Sequence, residues 1–348
     1  MVNLGYNWDI LLLFAGGIDA AHHGIGPLFA NRWPHKLSQK LQYVSPPPFV
    51  DRRRHVDRLS ILSFNTCWLN SPSSPIYSDH RSSNIKGPWK DAASALAHME
   101  RVARLIEETD ADLCVLSEVQ DLRTLQELNT IIPCEIDYEE FLVDGMDRTH
   151  GLNVGVLSRI TPTKDPYRID LLKSLSKRSK TLRDKDVGVS RNIVIKYQLE
   201  CSHGQSHDIA LIGAHLRSCR PKSIRLKQAQ IINQIANQLT FEGYKIIIAG
   251  DFNDVDHNTP GPGDDPSSDD AVLRTLKRSG CRLSNPLSSV PLNRRYTIQG
   301  GRVLDYVLVD SRLTVKAARI YNNEERGYHQ VSDHFAVKVE VDFANDQV

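Results

Sequence analysis

Polar side chains that could bind a cation or move a proton occur at the ends of apolar segments in this sequence. They are two amides, four acids and two histidines: Asn65, Asn253, Glu118, Asp251, Asp305, Asp333, His215 and His334. Carboxylate and amide oxygens are ligands that Mg²⁺ prefers, and a neutral histidine can accept a proton near pH 7. Each residue alone is typical of a polar turn or a solvated strand end. Their joint occurrence predicts a site of metal-assisted acid–base chemistry.

The apolar segments beside these side chains have the lengths and residue types of buried strands. Residues 59–64 precede Asn65, residues 210–214 precede His215, and residues 245–249 precede Asp251. Packed strands bring their ends to a shared edge, so residues far apart in sequence converge there. Because an unpaired buried charge is costly, such charges need a partner, water or a metal ion.

The region from Leu59 to about Phe343 alternates short strands with helices. Apolar residues at helical spacing predict helices at 90–109, 223–239 and 270–278. Apolar runs and alternating patterns predict strands at 59–64, 113–116, 152–157, 192–199, 210–214, 245–249, 303–309 and 335–341. Because strands outnumber helices and several are close enough for hairpins, the pattern favours two packed sheets flanked by helices.

The first 56 residues have a different character. They show no persistent helical or strand period, and they contain a triple proline followed by a basic run that ends at Arg54. We predict a poorly ordered extension at 1–56, a catalytic domain at 57–343 and a tail at 344–348. The apolar run 10–15 is too short to span a bilayer. Asp9 gives the wrong charge pattern for a signal peptide, which favours a cytoplasmic protein and leaves secretion open.

The composition is that of a globular protein. The chain has 348 residues, 40% hydrophobic and 24% charged, with a formal net charge of +1. A chain of this length can bury a core without disulfides, and six cysteines without paired spacing are expected to be reduced, with one or two disulfides left open. A net charge of +1 does not attract a polyanion to the protein as a whole, so any such attraction must come from a local cluster of basic residues. Basic stretches at 173–185 and 217–227 are either nucleic-acid contacts or solvated surface.

Six short motifs appear in the order seen in the endonuclease/exonuclease/phosphatase superfamily, and residues 57–343 therefore resemble that family. The motifs are SFNT at 63–66, LSEVQ at 116–120, GAHL at 213–216, GDFND at 250–254, LDYVLV at 304–309 and SDH at 332–334. Six ordered motifs are far more specific than one short pattern. The implied fold is a four-layer α/β sandwich, with two mainly antiparallel sheets face to face and helices on the outer faces.

The resemblance also implies roles for individual residues. Glu118 and Asn65 are the principal metal-site residues and Asp333 a further ligand, for Mg²⁺ with Mn²⁺ as a substitute. His334 is the general base, and Asp305 orients its ring as the carboxylate does in a hydrolase triad.

Other residues are expected around the scissile phosphate. Asp251 and Asn253 lie beside it by resemblance, and His215 matches a phosphate-contacting or leaving-group histidine. Arg191 resembles a phosphate-contacting arginine, although a solvated strand-end arginine fits its position equally well. Asn153 is a weaker candidate for the same contact.

The substrate class follows from two further resemblances. RYT at 295–297 and GRVLD at 301–305 look like bacterial extracellular-type nucleases of this superfamily. We therefore predict a monomeric metal-dependent hydrolase of phosphodiesters, acting on DNA or RNA, without stable membrane insertion. One alternative is a sphingomyelinase-like or other phospholipid or small-molecule phosphodiesterase or phosphatase. Another is a non-catalytic binding module, against which the joint presence of His215, His334 and Glu118 argues.

Overall fold

A computed structural model describes most of the chain from Val56 onwards: residues 56–74, 77, 88–133, 137–145, 151–169, 189–202, 204–218, 221–278, 280 and 282–343. The predicted extension apart from Val56, the predicted tail and the basic stretch at 173–185 lie outside these residues. Within the described chain, each helix is too short or too polar to cross a membrane.

Eleven strands and four α-helices form the regular structure of the described chain. The strands are β1 Arg58–Leu69, β2 Leu113–Val119, β3 Glu139–Leu142, β4 Asn153–Ser158, β5 Asn192–Glu200, β6 Ser206–Ala214, β7 Lys245–Asp251, β8 Leu283–Ser284, β9 Asp305–Asp310, β10 Thr314–Ile320 and β11 Val337–Asp342. The helices are α1 Ala92–Thr109, α2 Leu122–Ile131, α3 Lys222–Phe241 and α4 Ala271–Lys277.

These strands form two sheets. Sheet one has the order β10-β11-β1-β2-β4-β3, and sheet two has the order β5-β6-β7-β9-β8. Only the β1–β2 and β6–β7 pairs are parallel, and the remaining pairs are antiparallel. Parallel neighbours need a long crossover connection, and α1 and α3 supply it. Both sheets are therefore mainly antiparallel, as predicted.

The sheets pack face to face, and the helices cover their outer faces. Strands β1 and β2 of sheet one contact β7 of sheet two, while α1 and α2 contact sheet one and α3 and α4 contact sheet two. Strands β1 and β7 are almost continuously buried because they are covered on both sides. Helix α1 buries Met99, Val102 and Ile106 at helical spacing. This is the predicted four-layer α/β sandwich.

Four elements were not predicted from the sequence, and the shortest of them is β8, with two residues. Helix α2 is only ten residues long, β3 has four half-buried residues, and β10 is an edge strand whose residues are mostly exposed. Short elements and edge strands carry weak hydrophobic patterns because little of their surface is buried. Strand β9 begins at Asp305 rather than at Val303, since its pairing with β7 ends at Asp305 and the Leu304 amide donates to the Thr297 hydroxyl at 2.9 Å.

Candidate active site

Sheet one presents Asn65 and Glu118 from irregular backbone. The β1–β2 register shifts between Asn65 and Leu69, and the β2–β4 register shifts between Ser117 and Val119. Glu118 has a left-handed φ of 65°, a conformation uncommon for a residue with a side chain. Bulges of this kind redirect side chains next to active sites. Here they aim two of the predicted metal-site residues at the same edge of the sandwich.

The Asn65 amide connects the two sheets. Its nitrogen donates to Glu118 Oε1 at 3.3 Å and to Asp251 Oδ2 at 3.0 Å, and its oxygen accepts the Cys67 N–H at 3.1 Å. The prediction assigned the amide oxygen to a metal ion. In the structure that oxygen faces a backbone donor, and the nitrogen bridges two carboxylates.

Sheet two contributes Asp251 at the end of β7. Its Oδ1 accepts the Asn253 N–H at 2.8 Å, and its Oδ2 lies 3.4 Å from His215 Nε2 and 3.9 Å from His334 Nε2. Burial and the nearby charge of Asp305 raise the pKa of the Asp251 carboxyl. Asp251 is thus the group around which both histidines converge.

Gly250 allows the ends of β6 and β7 to approach each other. It has a φ of 145°, and a Cβ at this position would lie 1.8 Å from the Ala214 carbonyl oxygen. Only glycine fits such an approach. The close contact sets His215, which follows Ala214, beside Asp251, which follows Gly250.

His334 and Asp305 form a hydrogen-bonded pair. His334 Nδ1 lies 2.7 Å from Asp305 Oδ2, and a hydrogen bond from the His334 amide to the Ser332 hydroxyl holds the backbone. A carboxylate partner assigns the proton to Nδ1, which leaves Nε2 as the acceptor of the neutral ring. Burial opposes protonation, but the charge and hydrogen bond of Asp305 outweigh it and raise the pKa of His334.

His215 is buried, and its surroundings favour the neutral ring. Burial first, and then the positive charges of Arg191 and His334, hold the pKa of His215 well below its usual value. Its Nδ1 has no hydrogen-bond partner within the described residues. Arg191 is also buried, and its carbonyl accepts the His215 N–H at 3.0 Å. The two predicted phosphate-contacting residues are therefore neighbours at the ends of β5 and β6.

Two other predicted residues have clear structural contacts. The Asn153 amide nitrogen donates to the Gln120 and Gly151 carbonyls, and its oxygen accepts the Gly145 N–H at 2.7 Å. This amide therefore holds loops together. Asn253 Nδ2 donates to the Leu216 carbonyl at 3.1 Å, and the residue is half-buried.

Cys67 and Trp68 belong to the site although sequence reasoning did not select them. The Trp68 N–H donates to Glu118 Oε2 at 3.1 Å. Cys67 is a free, half-buried thiol, and burial, Asp333 and Glu118 raise its pKa to about 12. Asp333 itself is exposed beside them. The only sequence signal was that both residues directly follow the SFNT motif.

The donor set fits a hard cation. Burial raises the pKa of Glu118, although Arg191 and the Asn65 hydrogen bond oppose this, and Asp305 Oδ1 has no hydrogen-bond partner in the described chain. One cluster able to hold a metal ion comprises Asp251, Asp305 and His334, whose ligand atoms lie within 4.8 Å of one another. Glu118, whose carboxylate offers oxygens of the kind that Mg²⁺ prefers, is linked to Asp251 of this cluster through the Asn65 amide.

Some residues of the basic stretch at 217–227 form ion pairs within the protein. Lys222 and Arg225 contact the buried Asp254 carboxylate at 2.9 and 3.2 Å. Arg225 also approaches the Arg217 carbonyl at 3.4 Å. Arg220 lies outside the described residues.

Comparisons with solved structures agree with this architecture. A protein of the endonuclease/exonuclease/phosphatase family from Bacteroides thetaiotaomicron is similar to the chain with a TM-score of 0.54 and 16% identity, over 83% of this chain and 96% of that one. The human Nocturnin catalytic domain with bound sulfate gives 0.53 and 17%, over 83% and 95%. A mannosyl-6-phosphatase from Bacteroides thetaiotaomicron gives 0.53 and 16%, over 82% and 100%.

No curated protein sequence matches the chain significantly. A family model described as the endonuclease/exonuclease/phosphatase family matches residues 62–334, from β1 to the histidine that pairs with Asp305. The chain therefore belongs to the endonuclease/exonuclease/phosphatase family.

Proposed function

We propose that the protein is a divalent-metal-dependent phosphodiesterase that cleaves nucleic acid. The observation that carries this proposal is the convergence of the His334–Asp305 pair, Asp251 and the Glu118–Asn65 pair at one buried edge of the sandwich. These residues come from both sheets and from distant parts of the chain. Their chemistry, a base with an orienting carboxylate beside an oxygen-rich cation site, is that of metal-assisted hydrolysis.

Glu118 would be the principal metal ligand, with Asp333 and Asn65 beside it. A bound Mg²⁺ would neutralise charge on the phosphate oxygens. The contacts of Asn65 Nδ2 with Glu118 and Asp251 support this assignment, because they bring two carboxylates close together at one edge of the sandwich.

The chain's own side chains would handle the protons. His334 Nε2 takes a proton from the attacking water, and Asp305 holds the ring in the required tautomer and stabilises its charged form. Asn253, whose amide nitrogen has one hydrogen beyond its bond to the Leu216 carbonyl, and the neighbouring His215 would contact the non-bridging phosphate oxygens. Asp251 would orient the water or the leaving group.

We prefer nucleic acid to lipid as the substrate because the described residues expose few large hydrophobic side chains. Four large hydrophobic residues of the described chain are exposed, and they lie far apart in the sequence: Leu122, Tyr167, Phe241 and Leu292. An enzyme of lipid interfaces needs a contiguous apolar patch. A small-molecule phosphatase is the second candidate, since the fold is shared with the mannosyl-6-phosphatase.

The test is hydrolysis of a substrate panel by the purified protein. Plasmid DNA, RNA, sphingomyelin, bis(p-nitrophenyl) phosphate and p-nitrophenyl phosphate would be incubated with Mg²⁺, with excess chelator, and with Mg²⁺ restored. We expect cleavage of nucleic acid and the diester that stops with chelator and returns with metal. Hydrolysis of the monoester alone would establish a phosphatase, and full activity in chelator would refute the metal requirement.

A matched pair of variants assigns the activity to this site. Glu118→Gln should abolish the response to Mg²⁺ while the protein stays folded, because Glu118 supports the site rather than the core. Glu340→Gln, on the strand β11 that carries no site residue, should behave like the wild type.

A further inference from the structure

The backbone that follows Asn65 is strained. Cys67 and Trp68 have left-handed φ angles of 51° and 61°. This conformation is unfavourable for residues with side chains, so two in succession persist only when other contacts hold them. We call residues 66–68 the left-handed turn.

The left-handed turn aims two amide groups at the candidate metal site. The Cys67 N–H donates to Asn65 Oδ1 at 3.1 Å, and the Trp68 N–H donates to Glu118 Oε2 at 3.1 Å. The first bond fixes which end of the Asn65 amide faces Glu118, and the second fixes the Glu118 carboxylate. An extended backbone at these residues would direct both N–H groups elsewhere.

Trp89, just before α1, holds two carbonyls of the left-handed turn. Its indole nitrogen lies 2.8 Å from the Trp68 oxygen and 3.2 Å from the Cys67 oxygen. The indole has one N–H and no acceptor, so this single donor is shared between the two carbonyls.

His98, inside α1, holds both Trp89 and the third carbonyl. Its ring is fully buried and stacks on the Trp89 ring with centroids 4.1 Å apart. Its Nε2 lies 2.7 Å from the Thr66 oxygen, and because a carbonyl only accepts, Nε2 carries the proton. Three consecutive carbonyls are therefore bound by two stacked side chains that touch no reacting group.

We propose that Trp89 and His98 are positioning residues that hold the left-handed turn and thereby orient Glu118 and Asn65 for the metal ion. The catalytic consequence of this inference rests on the proposed function. The contacts of Trp89 and His98 with the carbonyls of residues 66–68, which we call the clamp, do not depend on it. Residues that orient metal ligands from outside affect metal affinity or activity by about 10–100-fold when they are changed.

The most direct test is amide hydrogen exchange at Trp68 in the metal-free protein. Trp89→Phe keeps a ring that can stack on His98 but removes the indole N–H. We expect the Trp68 amide to exchange about fivefold faster in this variant, since the net loss of one hydrogen bond corresponds to about that factor. An unchanged exchange rate would overturn the clamp.

The functional consequence is measured by Mn²⁺ titration and steady-state kinetics with bis(p-nitrophenyl) phosphate. Trp89→Phe should weaken Mn²⁺ binding by about tenfold and lower kcat more than it raises KM. Val102→Ala, a cavity-forming change on the same helix away from the left-handed turn, serves as the control. It should lower the melting temperature but leave Mn²⁺ binding unchanged, and equal losses in both variants would reduce Trp89 to a structural role.

Two variants of His98 provide a test by conservative rescue. His98→Gln keeps an N–H donor for the Thr66 carbonyl, whereas His98→Leu does not, so His98→Gln should retain more Mn²⁺ affinity. Equal affinity in the two variants would exclude His98 from the clamp. If the wild type cleaves no phosphodiester but the exchange and Mn²⁺ results hold, the proposed function fails and the clamp stands.

Discussion

The two ends of strand β9 carry equally buried aspartates with different partners. Asp305 and Asp310 are both 0% exposed. Asp310 accepts hydrogen bonds from the Arg312 guanidinium at 2.7 and 2.9 Å, whereas the ionisable partner of Asp305 is His334, at 2.7 Å. Arginine stays protonated at every relevant pH, and histidine does not. One end of the strand is therefore fixed electrostatically, and the other can exchange a proton.

The difference also appears in the titration of the groups. At Asp310, burial opposes ionisation, but the Arg312 hydrogen bonds outweigh it and lower the pKa of the carboxyl. At the other end, Asp305 raises the pKa of His334. The Arg312 pair therefore keeps Asp310 ionised, whereas the partner of Asp305 is a buried ring whose protonation can change with pH.

The largest effect should come from breaking the histidine pair. His334→Ala should lower kcat by about 10²–10⁴-fold, the usual contribution of a positioned base. Asp305→Asn should lose much of the same factor, because it removes the orientation of the ring. Since both residues serve one step, the losses should not add in the double variant. The test is to measure kcat for the three variants, with circular dichroism as a control for folding. If His334→Ala kept near wild-type turnover, Asp251 would replace His334 as the candidate base.

A smaller effect concerns His98, a buried histidine that faces a carbonyl and no carboxylate. Burial lowers the pKa of His98 from 6.5 to about 4. Because the unfolded chain binds this proton more readily, stability is complete above about pH 6.5 and falls as the pH drops towards 4. The loss should reach about 3 kcal/mol of the free energy of unfolding. Urea unfolding at several pH values gives the free energy of unfolding as a function of pH. This free energy should depend less steeply on pH in His98→Gln than in the wild type, and the same pH dependence in both proteins would contradict the assignment.

The arginine pair should matter for stability alone. Arg312→Met removes hydrogen bonds to a buried carboxylate and should lower the free energy of unfolding by about 2 kcal/mol, with kcat unchanged at temperatures where the variant is folded. Arg58→Met is the control, because the Arg58–Glu340 pair is exposed and 3.4 Å long. Its loss should stay below about 1 kcal/mol. A fall in kcat for Arg312→Met would show that the two ends of β9 are coupled.

The smallest effect is a displacement of the pH profile. Activity of the wild type should rise with pH, because His334 must lose its proton to act as a base and Asp305 holds that proton. In Asp305→Asn the remaining activity should reach its plateau at a pH lower by at least about 1 unit, since a neighbouring opposite charge shifts a pKa by that much or more. Profiles of kcat/KM that coincide for the two proteins would remove Asp305 from this role.

The sequence predicted the part of the site that depends on strand ends. Asn65, His215 and Asp251 each follow an apolar run, and the structure brings all three to one edge. Such short-range patterns suffice because strand ends of packed sheets converge regardless of the loops between them.

The remainder of the site depends on backbone conformation and long-range contacts. No periodicity indicates that the Trp89 indole reaches Cys67 and Trp68, or that the Asn65 amide turns its nitrogen towards the carboxylates. Asn153 was predicted to contact phosphate, but its hydrogen bonds to three backbone groups depend on loop geometry that local sequence does not encode. Side-chain amides are ambiguous in this respect because they both donate and accept.

The position of β11 has a consequence for biosynthesis. This strand lies between β10 and β1 and pairs along β1 from Arg58–Asp342 to Ser63–Val337. During translation β1 therefore emerges long before β11, and the edge of β1 that pairs with β11 stays unpaired until β11 has been made. His334 is made at the same late stage. A nascent chain that stopped before residue 334 would lack both β11 and His334, so sheet one and the candidate site would be completed at the same stage of synthesis.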